Sequence, residues 1–141
     1  MSCELGQPLL LSLRPEYARL IYSGRKRAEL RRTRPSRKIS EVFVYETSPV
    51  KRITGWFKIL RVHTTSASKA WKRFRKVLSV TRSQFRSYVQ GKRTVTLYLI
   101  QHFRKFKEGV LLSKIWRNGR PPQSYRYLDR RSARVLLATT Q

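Results

Sequence analysis

The chain has 141 residues, of which 33 are Lys or Arg and only 7 are Asp or Glu, a formal net charge of +26 at pH 7. With 40% hydrophobic residues, including 3 Trp, 7 Tyr and 6 Phe, it is too apolar for a disordered basic tail and long enough for one domain with a single core. Cys3 alone allows neither an internal disulfide nor a cysteine-built zinc site, no apolar run reaches membrane-spanning length, and the N-terminus lacks a signal-peptide pattern, so a cytoplasmic, intracellular protein is expected.

Leu9 to Leu13 is an apolar run of strand length. Pro15 suits a first helical position and Glu16 the positive helix end, with Tyr17, Ala18 and Ile21 following at helical spacing. Gly24 suits the left-handed residue that ends a helix. Beyond it, Ala28 and Leu30 alternate with Arg27, Glu29 and Arg31. A strand here places Glu29 and Arg31 on one face, with Lys26 at its entrance. Thr33 to Lys38 is a basic loop with turn residues. Glu41 to Thr47 holds Val42, Phe43, Val44 and Tyr45 and reads as a buried strand. Ile53 to Val62 alternates, with Ile53, Gly55, Phe57 and Ile59 on one face and Thr54, Trp56 and Lys58 on the other. Gly55 inside it marks a bend, a bulge or a close approach.

Ser66 to Leu78 is the clearest helix, with Ala67, Trp71, Phe74 and Leu78 on one stripe and Lys69, Lys72, Arg73 and Lys76 over the rest. Thr81 to Gln84 has capping-box spacing, and Phe85, Tyr88 and Val89 follow on one face before Gly91, so a second helix is expected over Arg82 to Gln90. Thr94 to Phe103 alternates, with Val95, Leu97 and Leu99 toward the core. The remainder is irregular around Pro121 and Pro122, with a short helix from Arg130 to Leu137 and a loose C-terminal tail.

The run Gly24, Lys26, Glu29 and Arg31 resembles the Gly-x-Lys-x-x-Glu-x-Arg signature of the ASCH family of PUA-like barrels. Two later stretches are similar to its longer members: Glu46-Thr47-Ser48-Pro49-Val50-Lys51, with a Gly55-Trp56-Phe57 strand after it, and Pro121-Pro122-Gln123-Ser124-Tyr125-Arg126-Tyr127-Leu128. The resemblance covers Leu9 to Leu128 and implies an α+β fold in one domain over residues 1–141. That fold is a small PUA-like β-barrel of about five or six strands with helices capping its openings. The resemblance also implies association with RNA above all, and in some members with DNA or modified nucleosides. Ribonuclease activity is attributed to some members. Other members remove an acyl group from a modified cytidine with the motif lysine, a threonine nucleophile and a glutamate. Lys26 matches that lysine, but Glu29 stands where the threonine would be.

Composition points to the same partner. Between Thr47 and Lys107 there is no Asp or Glu, and such self-repulsion is relieved by a polyanion. Nucleic acid fits better than a membrane, because the basic residues spread over the folded region and form no juxtamembrane block. Lys69, Lys72, Arg73 and Lys76, together with Arg82 and Arg86 and with Lys92 and Arg93, are the expected phosphate contacts. A pocket at the barrel mouth is expected from Lys26, Glu29 and Arg31, with Ser48, Lys51 and Tyr98 and, from the last stretch, Gln123 and Ser124. Spacing alone favours reading the first three as an ion pair across a strand face, and it is the family resemblance that brings the pocket reading level with it.

The two helices, three residues apart, either cap the barrel or form a helix-turn-helix of a DNA-binding regulator. Most aromatic residues fall on core stripes, whereas Trp56, Tyr98 and Tyr125 are the better stacking candidates. His63 and His102 have no companions at metal-ligand spacing, so no metal or other cofactor is expected. An acid or base carboxylate must come from Glu4, Glu16, Glu29, Glu41, Glu46 or Glu108, since Asp129 is the one aspartate. Lys26 and Glu29 are the catalytic candidates if the pocket cuts RNA rather than binding it. A monomeric nucleic-acid-binding module, with RNA favoured over DNA, is the reading adopted.

Overall fold

The computed structural model describes residues 6–139; Cys3, Glu4 and the last two residues of the C-terminal tail lie outside that range. The elements follow in the order β1 (Gln7–Leu13), α1 (Pro15–Tyr22), β2 (Ala28–Arg31), β3 (Ile39–Glu46), β4 (Arg52–Ser66), α2 (Ala67–Leu78), α3 (Arg82–Val89), β5 (Thr94–Val110), β6 (Tyr125–Tyr127) and α4 (Arg130–Thr139). No helix among the described residues is long and apolar enough to cross a membrane.

The strands form one six-stranded sheet in the order β2-β5-β4-β3-β1-β6. β1 runs parallel to β3, and every other neighbouring pair is antiparallel. The sheet curls around a core in which Leu9, Leu11, Val42, Val44, Phe57 and Tyr98 meet Tyr125 and Tyr127. Those residues come from five strands, so this is the interior of a barrel, with its seam between the edge strands β2 and β6. Ala18 and Ile21 of α1 enter the same core and cap it. The outer face is covered in two places. Leu10, Phe43 and Ile53 pack with Leu128, Ala133 and Leu136 under α4. Ala28, Leu30, Val95 and Leu97 pack with Ala70, Leu78, Phe85 and Val89 under α2 and α3.

The local signals explain the helices. Ser66 caps α2 by accepting from the Lys69 N–H at 3.2 Å. The capping box of α3 is complete, with Gln84 N–H to Thr81 Oγ1 at 3.0 Å and Thr81 N–H to Gln84 Oε1 at 2.8 Å. Gly24 is left-handed (φ 81°) at the end of α1, as expected. At the end of α3, Gln90 already turns left-handed (φ 44°) one residue before Gly91, so the helix is shorter than expected.

Two expectations about strands are corrected. β5 runs on from Phe103 to Val110, because the β4 partner strand is long enough to pair it there. Strict alternation along β4 fails, since irregular register steps at Ile53/Gly55 and Lys58/Ile59 shift the pleat. Ile53 therefore packs outside the barrel under α4, and Phe57 packs inside it. Gly55 sits at the first of those steps. A β-carbon there would collide with the Arg104 carbonyl and approach the Tyr22 hydroxyl to 2.6 Å, so β5 and α1 close in only because the side chain is absent.

At the start of α4, Asp129 Oδ1 accepts from the Ser132 N–H at 2.6 Å. That backbone bond holds the carboxyl below its usual range. The stabilisation is present above the unfolded value, about 4, and is lost as pH falls through the lower folded one. Asp129→Ala is expected to lower the unfolding free energy by about 0.5–1 kcal/mol at neutral pH. Urea unfolding at neutral and strongly acid pH checks this, because the difference from wild type must vanish in acid.

Candidate functional site

The segment after Gly24 is wedged between the ends of two helices. Lys26 N–H donates to Leu20 O at 3.0 Å near the end of α1, and Arg27 N–H donates to Val77 O at 2.7 Å in the last turn of α2. This wedge drives the Lys26 side chain inward, where only 2% of the residue is exposed. Its ammonium donates to Leu78 O at 2.8 Å, a free carbonyl at the negative end of α2. It also lies 3.4 Å from Glu29 Oε1. The other carboxylate oxygen, Oε2, accepts from Arg31 Nη1 at 3.1 Å. Arg31 Nη2 then donates to Ser124 Oγ, immediately before β6.

One line of charge thus runs from the end of α2, along β2 and across the barrel seam. The expected face of β2 exists, with Lys26, Glu29 and Arg31 all buried. Burial works against the Arg31 charge, and Glu29 beside it, together with Tyr88 and Tyr98, outweighs that, so the guanidinium stays ionised. Both Glu29 oxygens are engaged by cations, so the carboxylate positions its neighbours rather than standing free.

Above this line opens a cavity of about 740 Å³, ample for a nucleotide-sized ligand. Lys26, Glu29 and Arg31 line it, Arg14 and Arg32 add two cations, and Gln123 adds an amide. Tyr17 stands on one side, with its ring centroid 5.6 Å from Lys26 Nζ. Helix α3 and the residue that caps its end contribute a wall of Ser83, Gln84, Ser87, Tyr88 and Gln90. Burial raises the Tyr88 hydroxyl, with Arg31 pulling the other way and Glu29 reinforcing the rise. Burial likewise raises Tyr98 and Tyr125. At neutral pH these three phenols are protonated; none supplies a phenolate base.

The remaining expected residues fall in different places. Gln123 lines the cavity, and Ser124 supports it through Arg31. Ser48 and Lys51 do not line it; they are exposed in the turn between β3 and β4, and Thr47 takes their place. Tyr98 is corrected as a stacking surface: its ring is wholly inside the barrel, and its hydroxyl has no hydrogen-bond partner among the described residues. Trp56 packs edge-on against His102 at 5.4 Å, and Tyr125 packs against Tyr127 at 5.7 Å. Among the described residues no three His, Cys, Asp or Glu gather as a metal site. Lys72, Arg82, Arg86, Lys92 and Arg93 surround a second depression, while Lys69, Arg73 and Lys76 are exposed elsewhere on α2.

The sequence reading missed the α3 wall, Arg14, Arg32 and Tyr17. A signal for the wall was present: Ser83, Gln84, Ser87 and Gln90 are uncharged in a chain whose other exposed helical positions are mostly Lys or Arg.

Glu29→Gln leaves two buried cations without their counter-charge. The expected loss of stability is about 3 kcal/mol, larger than for Lys26→Met, which removes a cation and leaves Arg31 to balance the carboxylate. Denaturant midpoints of the two variants check the order.

A family model for the ASCH domain matches residues 11–115. The ASCH domain-containing ribonuclease of Zymomonas mobilis is 29% identical over 134 residues, covering 93% of this chain and 90% of that one. The crystal structure of ASCH from Zymomonas mobilis superposes with a TM-score of 0.89 at 27% identity, covering 96% of each chain. The N-terminal domain of McrB from Staphylothermus marinus shares the fold alone, at 9% identity and a TM-score of 0.56 over 95% of this chain and 94% of that one. With its motif, its curled sheet and most of its length matched, the chain belongs to the ASCH domain family.

Proposed function

We propose that the chain binds single-stranded RNA and seats one nucleotide in the cavity beside Lys26, Glu29 and Arg31. The observation that carries this reading is the lining of that cavity, where buried cations and a carboxylate meet uncharged donors and acceptors. Phosphate suits Arg14 and Arg32 at the rim. The edge of a base needs both donors and acceptors, which Gln123, Gln84 and Glu29 supply. Tyr17 from α1 and Tyr88 from α3 add ring surface to the lining. RNA is favoured over DNA because the family resemblance favours it and because a ribose hydroxyl adds a further partner for such a lining.

A second reading, RNA cleavage, is favoured by one observation: a relative 29% identical over most of the chain is named a ribonuclease. The same pocket would hold the scissile nucleotide, with Lys26 and Arg31 stabilising charge on phosphate.

Anisotropy titrations of matched RNA and DNA single strands over a salt series test the first reading. With about six phosphates contacted, log affinity is expected to fall against log salt with a slope near −4, and RNA is expected to bind more tightly. Arg14→Gln combined with Arg32→Gln should weaken binding about tenfold or more. Affinity indifferent to salt would overturn the proposal, and equal affinity for DNA would remove the RNA preference. Incubation with end-labelled RNA decides the second reading: cleavage by wild type that is lost in Ser124→Ala establishes it, and intact RNA throughout rejects it.

A further inference from the structure

Helix α3 has a second concave side. Beyond it lies a depression of about 700 Å³ between α3, the N-terminal half of α2 and the turn before β5. Its floor is aromatic, with the Trp71 and Phe85 rings 5.2 Å apart and inclined at 45°. Trp71 keeps part of its surface open. Lys72, Arg75, Arg82 and Arg86 stand around the floor, and Lys92 and Arg93 close one end.

These cations are unfavourable as they stand. Arg82 and Arg86 are like charges one helical turn apart on α3, and so are Lys72 and Arg75 on α2. Lys72, Arg75, Arg82, Arg86 and Arg93 make no side-chain hydrogen bond or ion pair among the described residues. The depression also takes in the start of α2, whose dipole is positive there. No acidic residue between Thr47 and Lys107 can relieve this repulsion locally. An aromatic floor under a ring of unpaired cations is the arrangement that holds a phosphate with a base stacked beside it.

The two concavities share one wall. Phe85 lines both, and α3 is a ridge about 10–12 Å thick between them. Lys92 links them through its side chain, whose ammonium donates to the Arg32 carbonyl at 3.1 Å, and Arg32 lines the first cavity. We infer that the depression between α2 and α3 is a second nucleotide subsite, occupied by the same single strand after it leaves the first cavity and crosses α3. Its chemistry is a phosphodiester held by Lys72, Arg82 and Arg86 with a base on Trp71. The inference rests on the RNA-binding reading and adds direction and length to the footprint.

The test uses the whole chain with two probes, a nucleoside monophosphate and a single-stranded RNA of about a dozen nucleotides, within the usual single-strand site size. The variant replaces Lys72, Arg82 and Arg86 by Gln, exposed positions where Gln keeps helix propensity. The long RNA is expected to lose about tenfold or more in affinity, with a salt slope shallower by about 2, while the monophosphate binds as to wild type. Tryptophan quenching by the long RNA should disappear in Trp71→Phe. An unchanged long-RNA affinity overturns the inference, and so does parallel weakening of both probes. Wild type that binds the long strand no better than the monophosphate also overturns it, while leaving the first cavity's role intact. Wild type that binds neither probe rejects the RNA-binding reading and the subsite together. Loss of binding to anionic vesicles or polyglutamate with RNA unaffected assigns the depression to another partner and rejects the subsite.

Discussion

Everything around the mouth of this barrel depends on one carboxylate. Glu29 holds Lys26 on one side and Arg31 on the other, and each cation carries the connection further. Lys26 reaches the last carbonyl of α2, and Arg31 reaches Ser124 on the far side of the seam. A six-stranded sheet with edge strands β2 and β6 has no backbone ladder to join those edges. A side-chain bridge joins them instead. Buried ion pairs are seldom the cheapest way to stabilise a fold, since desolvation offsets most of their attraction. Their value here is positional: the bridge sets the width of the seam and leaves polar atoms facing the space above it.

The helices then give that space its walls. α2 and α3 pack on β2 and β5 through Ala70, Leu78, Phe85 and Val89. This packing turns the Phe85 face of α3 inward and leaves its flanks to either side. One flank is uncharged and meets the cavity; the other carries Arg82 and Arg86. A helix of 8 residues has few positions to divide among a core face and two flanks, and here Phe85 serves all three.

Much of this was legible in the sequence, for a physical reason. Capping and periodicity are local, so α2 and α3 could be placed from Ser66, Thr81 and Gln84, and the shared face of Glu29 and Arg31 follows from strand geometry alone. Long-range contacts left weaker traces. The Ser124 contact with Arg31 spans 93 positions, and only the family resemblance brought the two stretches together. Tyr98 looked available for stacking because its neighbours Leu97 and Leu99 claim one face of β5. In a curled sheet the opposite face is the barrel interior, and Tyr98 is buried there. The Ile53 and Phe57 assignment failed at register steps, which leave no mark in hydrophobic alternation. Ser48 and Lys51 belong to a stretch that resembles the family but turns away from the cavity.

The uncharged flank of α3 has a consequence for selection. A charge of +26 attracts every polyanion with little regard to identity, and mobile ions compete for the same sites. A surface Lys or Arg that meets only phosphate carries no information about the base beside it. On the RNA-binding reading, discrimination would fall to the groups that count donors and acceptors around the cavity: Glu29 and the uncharged Ser83, Gln84, Ser87, Gln90 and Gln123. In so basic a chain, that reading gives the residues without charge the power to say no.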